Sequence, residues 1–243
     1  MPIQDFFDET VASTYDRDHG GTDPSDIART ADVLFDLAGQ GPALELAIGT
    51  GRIALPLQAL GCAVKGIELS PAMVAELRGK ETGEPIEVVI GDMAAERVDG
   101  SFSLVYLVFN TIDNLPTQDA QIACFRNAAR HLKPGGRFVI ETLIPPLQKI
   151  PYGETRYVFA DTPEHEGFDD FDFATQHYTS HHVRTKDGTK TRLTIPFRYT
   201  WPSELDLMAK LAGLELEHRW GDWDRSAFTG LSTRHVSVWR NSS

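Results

Sequence analysis

Between residues 43 and 142 the chain repeats one pattern: a short, nearly unbroken apolar run, a turn, then a stretch of helical periodicity. The apolar runs fall at 43–48, 63–67, 86–90, 102–109 and 137–142. The helical stretches fall at 52–60, 71–78 and 117–132, the last stopped by Pro134-Gly135-Gly136. Strands that are apolar throughout are buried on both faces, which requires a parallel sheet covered by helices on each side. The pattern predicts an α/β fold with a doubly wound, mostly parallel sheet. At 243 residues the chain suits one domain, or one domain with a sizeable insertion, and buries a core without disulfides or metals. Cys62 and Cys124 lack metal-ligand spacing and sit in apolar periodic segments, so they read as core thiols.

Around this repeat the texture changes. Residues 1–40 read as helical. Phe6, Phe7 and Val11 suggest one short amphipathic helix. Asp23-Pro24 then supplies an N-cap and a first-turn proline for a second, with Ile27, Ala31, Leu34 and Leu37-Ala38 on one face. Residues 143–200 hold prolines, an acidic stretch and two strand-like runs about Asp187-Gly188, a hairpin turn. They read as an antiparallel insertion after the fifth strand, packed over one rim of the sheet. Residues 201–243 give a helix at 202–211 and two strands, 216–220 and 235–239, close enough for an edge hairpin with one antiparallel strand. That makes seven strands in the main sheet. The expected organisation is a helical lid at 1–40, a ligand-binding core at 41–142, a substrate-side insertion at 143–200, and a core-completing segment at 201–243.

With 23 basic and 35 acidic side chains the formal net charge is −12. Wrapping nucleic acid or holding an anionic membrane needs a basic surface, so both are disfavoured as partners. No apolar run approaches a membrane span. The acidic N-terminus lacks the basic start and apolar stretch of a signal peptide, so a cytoplasmic location is expected.

The segment Glu45-Leu46-Ala47-Ile48-Gly49-Thr50-Gly51-Arg52 is the strongest chemical signal. Glycines at a strand end let backbone approach a ligand, and the following helix offers free N–H groups. Glu68 ends the second strand, where a carboxylate can accept both hydroxyls of a ribose. By itself the Gly49-x-Gly51-x-x-Ala54 spacing also fits a nicotinamide-dinucleotide loop, and a short glycine motif is weak. Two features point elsewhere. Glu45 places an acid inside the first strand, where it can meet a cationic amino group. Gly91-Asp92-Met93 closes the third strand, where an aspartate can accept from an adenine amine while the next N–H donates to the ring.

Taken together, Glu45-Leu-Ala-Ile-Gly49-Thr-Gly51-Arg, Gly66-Ile-Glu68-Leu-Ser-Pro-Ala-Met, Gly91-Asp92-Met93 and Leu132-Lys-Pro-Gly-Gly-Arg-Phe resemble the class I S-adenosylmethionine-dependent methyltransferases. The resemblance covers about residues 10–142 and the final helix and strands. It implies a Rossmann-like core with S-adenosylmethionine as cofactor. It implies that Glu45, Ala47, Gly49 and Gly51 cradle the methionine part, Glu68 and Leu69 hold the ribose, and Asp92 and Met93 hold the adenine. Phe109 and Asn110 would line the methyl-transfer side. The chain departs from the usual pattern at Ala47, where a glycine is common, and carries Glu rather than Asp in the first strand. The implied reaction is in-line displacement onto N or O of a small-molecule acceptor, without metal. A nicotinamide-dependent oxidoreductase and a non-catalytic S-adenosylmethionine-binding sensor are the alternative readings.

Acceptor-side candidates are looser. Tyr15, in Tyr15-Asp16-Arg17-Asp18-His19-Gly20, resembles the lid tyrosine of small-molecule methyltransferases and is equally a rim-packing aromatic. Asn110 and Thr111 open a polar loop that continues through Asp113 and Asn114. His177, His181 and His182 read as solvated or substrate-lining rather than metal-binding, with 177 and 181 on one strand face. Tyr199 and Trp201 suit either the acceptor pocket or the core. Trp223 lies in a loop that could close the pocket. Residues 161–172 carry six acids and no Lys or Arg. They read as a solvated surface loop, or as a lid attracting a cationic or amine-bearing acceptor.

Overall fold

The computed structural model describes residues 5–18, 24–186 and 188–242. Asp23, His19-Gly20 and Asp187, invoked above for a cap, a lid segment and a hairpin turn, lie outside the described residues. Two helices, α1 (Glu9–Ala12) and α2 (Tyr15–Asp18), precede α3 (Pro24–Ala38). The core then runs β1 (Ala43–Leu46), α4 (Ala54–Ala59), β2 (Val64–Glu68), α5 (Pro71–Lys80), β3 (Glu87–Ile90), β4 (Phe102–Leu107), a 3-10 turn (Thr111–Asn114), α6 (Gln118–His131) and β5 (Leu132–Leu143). An insertion follows with β6 (Arg156–Asp161), β7 (His165–Asp172), β8 (His177–Lys186) and β9 (Thr189–Arg198). The chain closes with α7 (Pro202–Leu211), β10 (Leu214–Trp220) and β11 (Arg234–Asn241).

The main sheet has seven strands in the order β10-β11-β5-β4-β1-β2-β3, with β11 antiparallel to both neighbours. This is the α/β architecture the alternation predicts. β4 shows why: every residue from Phe102 to Leu107 is buried. Val105 and Leu107 enter a cluster with Phe125, Phe138 and Trp239, while Leu104 and Tyr106 enter another with Leu34, Leu57 and Val139. Local chemistry starts the helices. Ser70 accepts the Met73 N–H ahead of Pro71, and Thr117 accepts the Ala120 N–H. Both cysteines are buried, and desolvation raises their thiol pKa values, which leaves them unreactive.

Three expectations need correction. Phe6 and Phe7 precede the first helix rather than forming it. Asp8 caps a single turn, and Phe7 packs edge-on against Tyr15. Pro134-Gly135-Gly136 does not precede the fifth strand. Leu132 already pairs with Phe102, and the ladder resumes at Leu104 with Arg137, so the segment bulges within β5. The insertion holds four strands, not two, in a separate antiparallel sheet ordered β6-β7-β8-β9. Most of the acidic stretch is therefore strand: His165–Asp172 pairs residue for residue with β8.

Candidate active site

A cavity of about 810 Å³ opens at the C-terminal ends of β1 to β5, where ligands sit in open α/β sheets. Its volume lies in the upper part of the ordinary range for small-ligand sites, about 300–1,000 Å³. The glycine loop, Glu68, the turn after β3 and the loop after β4 form its floor, and the inner face of the second sheet forms its roof.

Glu45 is 3 % exposed, and its Oε2 accepts the Tyr106 hydroxyl at 2.9 Å. Burial lifts its carboxyl to about 8, against the Tyr106 hydrogen bond and the Arg52 guanidinium, which pull it down. Glu68 is also buried. Its Oε2 accepts the Gly49 N–H at 2.7 Å and its Oε1 the Ser70 N–H at 2.9 Å, so one carboxylate ties the glycine loop to the N-terminus of α5. Burial raises this group too, opposed by those backbone donors. Past β3, Asp92 Oδ1 accepts the Ala94 N–H at 2.8 Å and Met93 turns into the core.

Ala47 has φ 55°, left-handed backbone that favours glycine, and lines the cavity at the point of close approach. Phe109 and Asn110 are left-handed as well, both at φ 58°. The β5 strand over-determines this strained pair. Glu141 Oε2 accepts the Phe109 N–H at 3.0 Å, and the Glu141 carbonyl accepts the Asn110 N–H at 3.2 Å. The Leu143 N–H donates to Asn110 Oδ1 at 2.6 Å. Arg52 lies in the cavity with its guanidinium 3.4 Å from the Phe109 ring centroid and 5.9 Å from that of Tyr15.

The N-terminal helices are fastened to both layers. Thr50 Oγ1 and Lys80 Nζ each donate to Asp16 at 2.6 Å, and Ser70 Oγ donates to the Phe7 carbonyl at 2.6 Å. From the second sheet, Arg184 Nη2 donates to the Asp18 carbonyl at 2.9 Å. Tyr15 therefore stands over the glycine loop. Burial raises its phenol above the usual range, so it stays protonated.

The structure brings most of the sequence-predicted residues together. Tyr15, Glu45, Ala47, Gly49, Glu68, Leu69, Asp92, Met93, Phe109, Asn110, Thr111, Tyr199 and Trp201 all line the cavity. Three do not. Gly51 faces α5: a Cβ built on it comes 2.2 Å from Leu77 Cδ1, and its φ is +75°. Its work is packing the loop on the helix. Gly51→Val is expected to lower stability by about 1–3 kcal/mol through overpacking, measured as a lower midpoint in thermal unfolding. Trp223 is 5 % exposed and buried in the core cluster with Val33 and Leu34, its indole hydrogen-bonded to Glu141. His177 points away from the cavity, with Nε2 on the Pro116 carbonyl at 2.8 Å. His181 stacks on Phe168 outside it. Period-2 alternation puts Tyr178, Ser180 and His182 of β8 on the cavity face instead. Arg52, Tyr106 and Glu141 are site residues beyond those the sequence pattern predicts. Arg52 ends the glycine motif itself, and Tyr106 is the only aromatic hydroxyl in a buried strand whose one other polar residue is Ser103.

Fold and site define a nucleotide-cofactor enzyme of the class I methyltransferase type. A family model described as a methyltransferase domain matches residues 43–136. The CcbJ methyltransferase of Streptomyces caelestis is 35 % identical, superposes with TM-score 0.87, and 98 % of each chain is covered. The cypemycin N-terminal methyltransferase of a Streptomyces species is 28 % identical over 80 % of this chain and 81 % of that protein. The amino pentose methyltransferase CalS10 of Micromonospora echinaspora, solved with S-adenosylmethionine bound, shares the fold at 20 % identity, with TM-score 0.73 and 98 % of this chain and 99 % of that chain covered. The chain belongs to the class I S-adenosylmethionine-dependent methyltransferases, and S-adenosylmethionine is its cofactor. The residues present fit that cofactor: two buried acids, an arginine and a left-handed glycine loop face one cavity. Among the described residues no helix is long and apolar enough to cross a membrane.

Proposed function

We propose that the chain transfers the methyl group of S-adenosylmethionine to a nitrogen or oxygen of a small molecule held between the glycine loop and the inner face of β6–β9. The observation that carries this reading is a single cavity lined on one side by Glu45, Gly49 and Glu68 and on the other by Tyr178, Phe197 and Tyr199. When bound, the cofactor supplies a sulfonium methyl already activated for displacement, so the protein's task is alignment and exclusion of water.

Glu45 holds the cationic amino group and Arg52 the carboxylate of the methionine part. Glu68 keeps the acceptor capacity its two backbone donors leave over and offers it to the ribose. Asp92 and Met93 bracket the adenine. Phe109 and Asn110, locked by Glu141 and Leu143, shape the transfer side. Because Leu143 takes the Asn110 side-chain oxygen, Asn110 acts chiefly by positioning this loop. The N-terminal segment serves as a lid, with Tyr15 presenting a neutral phenol to the acceptor. Thr111, Tyr199 and Trp201 contribute to the acceptor wall.

Titration calorimetry with S-adenosylmethionine, its demethylated product and NAD⁺ tests the cofactor half: the first two bind, and tighter binding of NAD⁺ would overturn the reading. Tyr15→Phe tests the acceptor half. It is expected to lower kcat by about 10–100-fold, the scale of one lost hydrogen bond to a charged or charge-developing group, with the cofactor Kd unchanged. A wild-type kcat would assign Tyr15 to packing alone.

A further inference from the structure

The roof of the cavity carries polar groups that the methyl-donor side does not use. Its inner face is a ladder of register rows. Asp169, Ser180 and Ile195 form one row, and Phe171, Tyr178 and Phe197 the next. The second row is a stack, with Tyr178 5.1 Å from Phe171 and 5.0 Å from Phe197 between ring centroids. The Tyr178 hydroxyl reaches down from the sheet and donates to Asp113 Oδ2 at 3.2 Å, joining the roof to the 3-10 turn after β4.

Asp113 is 4 % exposed, lines the cavity, and its Oδ1 is buried with no hydrogen-bond partner. Asp169 lines the same cavity. Ser180 holds its carboxyl, and its Oδ1 too is buried without a partner. Two carboxyl oxygens without donors in one cavity are costly unless a ligand supplies N–H groups. Burial raises Asp113 well above the usual carboxylate range and lifts Asp169 to about 6. Burial disfavours the ionised form of each carboxyl, and the Arg198 guanidinium opposes it only at Asp113; a cationic ligand would stabilise both ionised forms. An ammonium group donates several hydrogens and accepts none, which suits acceptor-only carboxylate oxygens, where a hydroxyl brings one donor.

Building on the methyltransferase reading, we propose that Asp113 and Asp169 form an amine-recognition site, and that the acceptor of this enzyme is an amine-bearing small molecule. The acidic stretch thus acts through one inward residue. Asp161 and Glu164 are exposed and do not line the cavity.

Calorimetry on protein saturated with S-adenosylhomocysteine tests this with matched pairs: benzylamine and benzyl alcohol, tyramine and tyrosol, glucosamine and glucose. At least one amine is expected to bind about tenfold or more tighter than its hydroxyl partner, the scale of a charge-assisted hydrogen bond. Asp169→Asn and Asp113→Asn are each expected to remove that preference while S-adenosylhomocysteine affinity stays at the wild-type value, which reports an intact fold. If Asp113→Asn does not fold, Asp169→Asn carries the test alone. The double variant Asp161→Asn, Glu164→Gln is expected to leave the preference intact. Equal binding of both partners in every pair, absence of amine binding, or an unchanged preference in Asp169→Asn would overturn the amine site and leave the methyltransferase reading standing. Failure of S-adenosylhomocysteine itself to bind would instead overturn that reading.

Discussion

Glu68→Ala is expected to weaken S-adenosylmethionine binding by about 1–3 kcal/mol, the cost of removing a buried charged hydrogen-bond partner, or roughly 5–150-fold in Kd. The carboxylate does two jobs at once. It accepts the Gly49 and Ser70 N–H groups, so it fixes the loop that must approach the cofactor. It also has acceptor capacity left over for ribose hydroxyls. The alanine variant therefore leaves two backbone donors without their partner and is expected to lose stability as well, by a comparable about 1–3 kcal/mol. Glu68→Gln retains the shape and one acceptor, but its amide NH2 faces the other backbone N–H donor, so it is expected to recover only part of the stability and part of the affinity. Calorimetry and thermal unfolding on the two variants separate the roles. An unchanged Kd in Glu68→Ala would remove Glu68 from the cofactor site.

The second large effect is a pH dependence of cofactor binding. The Glu45 carboxyl in the free enzyme is lifted to about 8 by burial. A cationic amino group beside it favours the ionised form, so its pKa is lower in the complex than in the free protein. Binding is then coupled to proton loss, and affinity falls as pH drops below about 8, by up to about tenfold per unit. Glu68, raised in the same direction, adds to the slope rather than opposing it. The folding linkage has a consistent sign. The native state holds the Glu45 proton longer than the unfolded chain does, so stability of the free enzyme declines as pH rises from about 4.5 to about 8. Dissociation constants between pH 6.5 and 8.5, with enthalpies in buffers of different ionisation heat, report the released proton. Glu45→Gln is expected to flatten the profile. A wild-type affinity that is flat or increases toward low pH would contradict the assignment.

Much of the core and the cofactor half of the site could be read from the chain. Parallel strands buried on both faces leave continuous apolar runs. Their chemistry sits at strand ends, where Glu45, Gly49, Glu68 and Asp92 fall by position alone. The roof was less legible for reasons specific to its strands. β6 and β7 are half-exposed, so His165–Asp172 carries no apolar signature beyond Phe168 and Phe171, and its acids read as solvated. In β8 the phase of the alternation decides everything. A shift of one residue exchanges His177 and His181 for Tyr178, Ser180 and His182, and the sequence held no cue to which face the cavity would take. The position of Trp223 in the loop after β10 points to the pocket, yet the indole turns into the core toward Glu141. The pairing of Tyr178 with Asp113 joins residues 65 apart in the chain, a distance no local pattern encodes. Arg52 is the opposite case: it stands within the motif itself, but glycines, not charges, define that loop.

The central claim is that one cavity binds cofactor and acceptor together for methyl transfer. Incubating the enzyme with S-adenosylmethionine labelled in its methyl group, together with a panel of small amines, alcohols and phenols, tests this most directly when products are read by mass spectrometry. The account predicts label on an acceptor nitrogen or oxygen and one S-adenosylhomocysteine formed for each methyl moved, with amines preferred. Tight cofactor binding with no label transferred to any member of the panel would contradict it.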